Sequence, residues 1–197
     1  LETLLPELAS LGWRTFTQGT PGGPRPSAIQ TYEICFVDKG SVEWWIDDKL
    51  FEAAPKSLFI NRPGEWHGGE SGLVQPCEMY WLQFYVPPKG KLPGLAKETQ
   101  LELKRAFETM QHRSFAASPT IKTFFEQLMN ERRRPQPYSL EVSRAAFHQL
   151  LHFLDHTLLR PAAVTPADFR NDAILLEVVT AHRDLHIHEV GRSVSGA

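Results

Sequence analysis

The residues of this chain best suited to chemistry begin in the stretch INRPGEWHGGESG, residues 60 to 72, where a single histidine, His67, follows a Pro-Gly turn and precedes a Gly pair. So placed, His67 reads as a metal ligand, a general base, or a polar group at the mouth of a cavity. The run MYWLQFYV, residues 79 to 86, supplies a second set. On an extended strand Tyr80, Leu82, Phe84 and Val86 share one apolar face, while Trp81, Gln83 and Tyr85 share the other. Small-molecule pockets are mainly apolar or aromatic with a few placed polar groups, so the mixed face is assigned to a cavity. There an indole stacks on C–H faces while an amide both donates and accepts, a pair suited to a polyol such as a sugar. Trp13, before the Gly/Pro-rich arm GTPGGPRP, is a candidate lid. Plain structural readings stand beside each of these: Trp81 and Trp13 as core, Gln83 facing solvent, His67 satisfying a turn backbone.

Other histidines recur at helical spacing: His148, His152 and His156 in one segment, His182, His186 and His188 in a later one. Two imidazoles at i and i+4 can chelate a transition metal. Here Arg144 precedes the series and no H-E-x-x-H carboxylate pattern accompanies it, so a polar helix flank is the preferred reading. Sensitivity of a dimer contact to mild acid is the other. Cys35 and Cys77 are too few for a disulfide scaffold and are expected as free, buried thiols.

The elements that must carry these residues fall into two halves. From about residue 28 to 86 the apolar residues alternate in short segments broken by turn formers, the pattern of a sandwich or barrel. Strands are predicted at Thr31–Val37, Ser41–Ile46, Leu50–Ala53, Ser57–Asn61 and Met79–Val86. After VPPKGKLPG, residues 86 to 94, the spacing becomes three and four. One helix is predicted over Glu98–His112, and a second opens at Ser118-Pro119-Thr120, a serine cap followed by proline at the first helical position. A third runs from near Ser139 to Pro161, carrying Ala146, Phe147, Leu150, Leu151, Leu154 and Leu158. A fourth opens with a capping box at Thr165 and Asp168. The N-terminal LETLLPELASLG also reads as helix. The expectation is an α+β chain, with a β-subdomain over residues 1–95 and a helical one over 96–190. The apolar surface of four helices exceeds what a small barrel edge can hide, so homodimerisation through the third and fourth is expected.

Composition narrows the function classes. With 42% apolar and 22% charged residues among 197, the chain is globular rather than disordered. It has neither an apolar run near the roughly 20 residues needed to span a bilayer nor a secretory leader, so a cytoplasmic, non-membrane protein is expected. A net charge of −2 does not attract nucleic acid, and the one dense basic run, Arg132-Arg133-Arg134, suits the C-terminal end of a helix. Starting at Leu1 without an initiator Met, the chain is expected to be an excised fragment.

Laid out from Gly64 and His67, the loop resembles half of the second signature of the cupin superfamily, G-x5-P-x-G-x2-H-x3-N. Lys56, Arg62 and Ser71 stand at its other places. The end of the first cupin signature is resembled by Glu33 and Gly40, while its histidine places hold Ser27 and Ile29, or Pro26 and Ala28 at the longer spacing. A cupin metal site needs three imidazoles and a carboxylate, and no histidine precedes His67, so no metal and no cofactor are expected. Glu33 and His67 are then implied as polar anchors inside a barrel, Glu33 having the alternative of pairing with a nearby cation. The whole run from Tyr32 to Val86, followed by helices that include QLLHFLDHTLLRP, is similar to the effector-binding and dimerisation half of AraC-type transcription regulators. That resemblance covers about residues 28 to 185. It implies a cupin-like double-stranded β-helix barrel, a small-molecule effector with sugars among the candidates, a helical dimer, and a C-terminal helix-turn-helix domain for DNA that this chain lacks. The ligand-binding set is Trp13, Glu33, His67, Trp81 and Gln83, with no catalytic residue and no metal. The rival reading is a metal-free cupin enzyme such as a sugar isomerase, with His67 as base and Tyr80 or Tyr85 as acid.

Overall fold

The computed structural model describes residues 4–47, 49–85 and 92–159. The strands, in chain order, are β1 (Leu8–Phe16), β2 (Thr20–Pro21), β3 (Arg25–Pro26), β4 (Thr31–Lys39), β5 (Val42–Ile46), β6 (Lys49–Ala53), β7 (Ser57–Asn61), β8 (Trp66–Gly69), β9 (Leu73–Val74), β10 (Cys77–Tyr85) and β11 (Ser114–Ala116). The helices are α1 (Lys97–Thr109), α2 (Thr120–Arg133) and α3 (Ser139–Leu159). All described strand pairings are antiparallel. A five-stranded sheet in the order β1-β10-β4-β7-β11 faces a four-stranded sheet, β3-β8-β5-β6, and β2 pairs with β9.

The residue parity of the central strands explains this layering. On β4, Tyr32, Ile34 and Phe36 enter one core and Cys35 and Val37 another. The first core lies between the five-stranded sheet and the helices, where Leu103, Phe107, Ile121, Phe125, Phe147 and Leu150 meet the sheet. Phe84 meets Phe107 at 5.7 Å and Phe147 at 5.5 Å, both edge-on. Such pairs contribute about 0.5–1.5 kcal/mol each beyond the apolar area they bury. The second core, between the sheets, contains Trp44, Phe51, Phe59, Val74 and Met79. One ion pair ties α2 to the rim, Lys122 Nζ lying 2.7 Å from the buried Asp38 Oδ2. At the β4–β5 turn Gly40 has φ 72°, and a Cβ there would stand 2.4 Å from the Pro76 carbonyl oxygen, so both backbone angle and space require glycine.

The predicted N-terminal helix is instead strand from Leu8 onward, paired with β10 from Leu8 opposite Phe84 to Phe16 opposite Cys77. The apolar spacing of LETLLPELASLG suits a helix locally, but β10 would otherwise expose its edge, and satisfying that row of N–H and C=O groups outweighs local preference. The other predicted strands stand with ends moved by one or two residues, and β7 matches. Strands β2, β3, β8, β9 and β11 are too short to show a period. After α1, β11 returns to pair with β7. Ser118 Oγ accepts the Thr120 N–H at 3.3 Å just ahead of α2, but the N-cap residue is Pro119 and the helix starts at Thr120, one residue later than predicted. Of the predicted α3 stripe, Ala146, Phe147, Leu150, Leu151 and Leu154 are buried against the chain's own first core. The predicted fourth helix lies outside the described residues. None of the described helices is long and apolar enough to cross a membrane.

Candidate functional site

Between the two sheets, strand register brings together residues far apart in sequence. Asn61 on β7 is the partner of Glu33 on β4, and Glu33 is the partner of Gln83 on β10. The three form one row across neighbouring strands. Glu33 Oε2 accepts from Asn61 Nδ2 at 2.8 Å, and Glu33 Oε1 accepts from Gln83 Nε2 at 3.0 Å. Asn61 Oδ1 accepts from the Trp44 indole Nε1 at 3.2 Å. The facing sheet supplies His67, whose Nε2 is 3.5 Å from Glu33 Oε2. Its Nδ1 lies 2.9 Å from Ser27 Oγ and 3.3 Å from the Glu65 carbonyl oxygen. Ser27 and the Glu65 carbonyl thus hold the Nδ1 side of the ring, and Glu33 faces its Nε2 side. The Trp44 ring lies 5.7 Å from the imidazole at 28°, a stacked contact.

Burial is uneven across this group. Asn61 is 0% exposed, His67 2% and Glu33 7%, whereas Trp81, Gln83 and Tyr85 on the same side of β10 are only half-buried. The row thus has a sealed floor and a wall that solvent reaches. Burial holds the His67 imidazolium below its ordinary 6.5; the nearby Glu33 carboxylate pulls it up by less, and Arg25 pushes it further down. The imidazole is therefore neutral at neutral pH, and its Nε2 has no hydrogen-bond partner. Burial likewise pushes the Cys35 thiol, one row further into the barrel, well above its ordinary range, in accord with a packing rather than a nucleophilic role.

Of the five residues singled out from the sequence, Glu33, His67 and Gln83 are in one polar cluster. Trp81 is one strand pair further along, its indole lying across Gly12 of β1. Trp13 is not with them: paired with Tyr80, it sits on the opposite face of the sheet, its ring 6.1 Å from the Tyr80 ring, and is 47% exposed. A lid over the inter-sheet space cannot come from that face. Tyr80 is likewise on the helix side, its hydroxyl 3.4 Å from Glu126, so it is no acid partner for His67. Trp44 faces inward, while Trp45 packs outward with Leu50 and Trp66. Asn61 and Ser27 escaped the sequence reading as members of the site. Asn61 stands two residues from Phe59, so strand parity alone would have turned it inward; Ser27, at the first histidine place of the cupin motif in the shorter of its two spacings, meets the remaining histidine. On α3, His148 packs against the backbone at Gly94, His152 is exposed, and His182, His186 and His188 lie outside the described residues. Among the described residues no group of three or more His, Cys, Asp or Glu could hold a metal ion. A separate cleft of about 170 Å³, lined by Phe51, Arg62, Glu108 and Arg113 among others, contains none of the polar row.

A helix-backed pair of antiparallel sheets with a polar row between them is the architecture of a cupin-like ligand-binding domain, and comparison with known proteins names the group. The chain belongs to the AraC-like ligand binding domain family, whose model matches residues 23–151. Among solved structures it is similar to the AraC-like transcriptional activator CuxR, with 12% identity and a TM-score of 0.49 over 80% of this chain and 55% of that one. Apo ToxT K231A from Vibrio cholerae is similar at 10% identity and a TM-score of 0.47, over 80% of this chain and 59% of that one. ToxT with an unsaturated fatty acid bound matches at 7% identity and a TM-score of 0.45, over 79% of this chain and 58% of that one. The chain thus spans between 55% and 59% of the length of these regulators. Comparison with curated protein sequences returned no match.

Proposed function

We propose that this chain is the effector-sensing part of an AraC-type transcription regulator, and that its effector binds between the sheets against Glu33, Asn61, His67, Gln83 and Trp81. The observation that carries this reading is the row Asn61–Glu33–Gln83 with His67 opposite, which is sealed below and half-open along β10. Burying a carboxylate and an imidazole costs stability that apolar residues would not. A fold that only needed a core gains nothing from this arrangement, whereas a binding site gains directional contacts. The Trp81 indole and the Gln83 amide, both within reach of solvent, suit a small polar molecule with a C–H face, and sugars head the candidates. DNA binding would belong to a helix-turn-helix domain beyond this chain. We also infer that any homodimer forms through helical surface outside the buried stripe of α3, because that stripe is occupied within the chain; sedimentation velocity tests this.

The binding reading is tested by a thermal-shift screen of sugars and small polar molecules. A ligand at 100 times its Kd adds about 2.7 kcal/mol of stability. A Trp81→Ala protein is expected to lose most of the response to any hit. An unchanged response would place the ligand elsewhere.

A further inference from the structure

The cleft of about 170 Å³ lies where the β5–β6 hairpin meets the C-terminal end of α1, outside the inter-sheet row. Ile46, Phe51 and Met110, all buried, give it apolar lining. Its charged residues are Arg62, Arg113, Lys49, Asp47 and Glu108. Two of these converge on one carboxylate. Arg113 grips both oxygens of Glu65, through Nη1 at 2.9 Å from Oε2 and through Nη2 on Oε1, and Nη1 also donates to the Ile60 carbonyl oxygen at 3.3 Å. Glu65 Oε2 further accepts the Arg62 backbone N–H at 2.6 Å. The Arg62 side chain is held differently. Its Nε donates to the Phe107 carbonyl oxygen at 2.8 Å and its Nη2 to that of Met110, at the end of α1 where helix carbonyls lack intrahelical partners. Arg62 Nη1 stands 3.8 Å from Glu65 Oε1, beyond hydrogen-bonding reach.

This arrangement leaves a charge uncompensated. The side chains of Arg62, Arg113 and Glu65 are only 24%, 12% and 12% exposed, and they set two cations against one anion. Burial and then the adjacent Arg113 hold the Arg62 guanidinium below its ordinary pKa range, Glu65 raising it by less. The other charged lining residues, Lys49, Asp47 and Glu108, are exposed. Asp47 Oδ1 accepts the Trp66 N–H at 3.2 Å, and Glu108 faces Lys104 at 3.6 Å. A monoanion in the cleft cancels the buried excess and gives Arg62 Nη1 an acceptor. A dianion overshoots, its second charge repelled by Asp47 and Glu108. A neutral guest leaves the excess in place. The space suits a small organic molecule, since a cavity of about 150 Å³ holds benzene. We propose that this cleft is a second binding site, separate from the polar row, for a small organic monocarboxylate whose charge meets Arg62 and whose body packs on Phe51 and Met110.

The test is isothermal titration calorimetry of the 197-residue chain with three matched probes: benzoate, the neutral benzamide, and phenyl phosphate, which is nearly dianionic at neutral pH. Benzoate is expected to bind at least about tenfold tighter than benzamide and tighter than phenyl phosphate, and Arg62→Met should abolish its advantage over benzamide. In case that variant fails to fold, two others carry the test. Glu108→Gln removes an exposed repulsive carboxylate and should tighten benzoate about twofold to fivefold. Trp81→Ala, in the inter-sheet wall, should leave benzoate binding unchanged. Equal binding of benzamide overturns the anion assignment, and tighter binding of phenyl phosphate overturns the monocarboxylate. Benzoate binding that falls in Trp81→Ala and ignores Glu108→Gln belongs to the inter-sheet site, which sinks the cleft and keeps the effector reading. Absence of heat from all three probes overturns the cleft site and leaves the effector reading to its own screen.

Discussion

Gly12→Ala is the sharpest probe of how the site is built. A Cβ at Gly12 would lie 2.3 Å from Trp81 Cζ2, 2.6 Å from Cε2 and 2.9 Å from Cη2, all closer than real carbon contacts. The backbone cannot retreat, because the flanking register pairs Leu11–Leu82 and Trp13–Tyr80 hold β1 against β10. The indole must swing out. Overpacking of this kind costs about 1–3 kcal/mol, and removing a glycine from the unfolded ensemble returns about 0.4–1 kcal/mol. Because Trp81 is half-buried and can rotate toward solvent, the net loss should be about 1–2 kcal/mol, or about 2–8 °C in Tm for a chain of this size. Urea denaturation of Gly12→Ala, Trp81→Ala and the double variant measures it. In the Trp81→Ala background the ring is gone, so the added methyl should cost nothing, a coupling of about 1–2 kcal/mol. If Gly12→Ala destabilises both backgrounds equally, the clash is not with the indole and the seating of Trp81 described above is wrong.

Asn61→Ala strands both the Trp44 Nε1 donor and one Glu33 oxygen, and with an unsatisfied buried group costing about 1–3 kcal/mol, chemical denaturation should show a loss of about 2–4 kcal/mol. Phe125→Ala empties a fully buried position between α2 and the five-stranded sheet, so it should cost about 3–5 kcal/mol, measurable as a lowered urea midpoint with an unchanged slope. Burial raises the Asp38 carboxyl, but hydrogen bonds from Lys122 and Lys56 outweigh this and hold it below its ordinary 3.8. A depressed carboxylate stabilises the fold above its unfolded pKa, and that stability is lost as pH falls through the folded value. Lys122→Met weakens the depression, so its acid-induced fall in Tm, followed from about pH 6 to pH 2, should begin at higher pH than in the unaltered protein. Coincident profiles would mean the Lys122–Asp38 pair contributes nothing.

The site was only partly legible in the sequence. Glu33 and His67 were readable through their places in a motif, and Trp81 with Gln83 through strand parity. Trp13 was assigned to the wrong side because β1 was read as helix, and without its register against β10 the direction of its side chain has no meaning. Asn61 carried a parity signal, but nothing in the sequence said which residue of β4 it would meet.

Alternating apolar residues in the first half, three-and-four spacing in the second, and the residue types at 33, 67, 81 and 83 are properties of the chain itself, because side-chain period follows from backbone geometry within one element. Long-range pairing decided the rest. Register across β7, β4 and β10 set the polar row, the demand for hydrogen bonds along the β10 edge converted a helix-like N-terminus into strand, and the approach of β8 from the facing sheet placed His67 against Glu33. Those outcomes depend on which backbone groups find each other across tens of residues, and local composition carries no record of that choice.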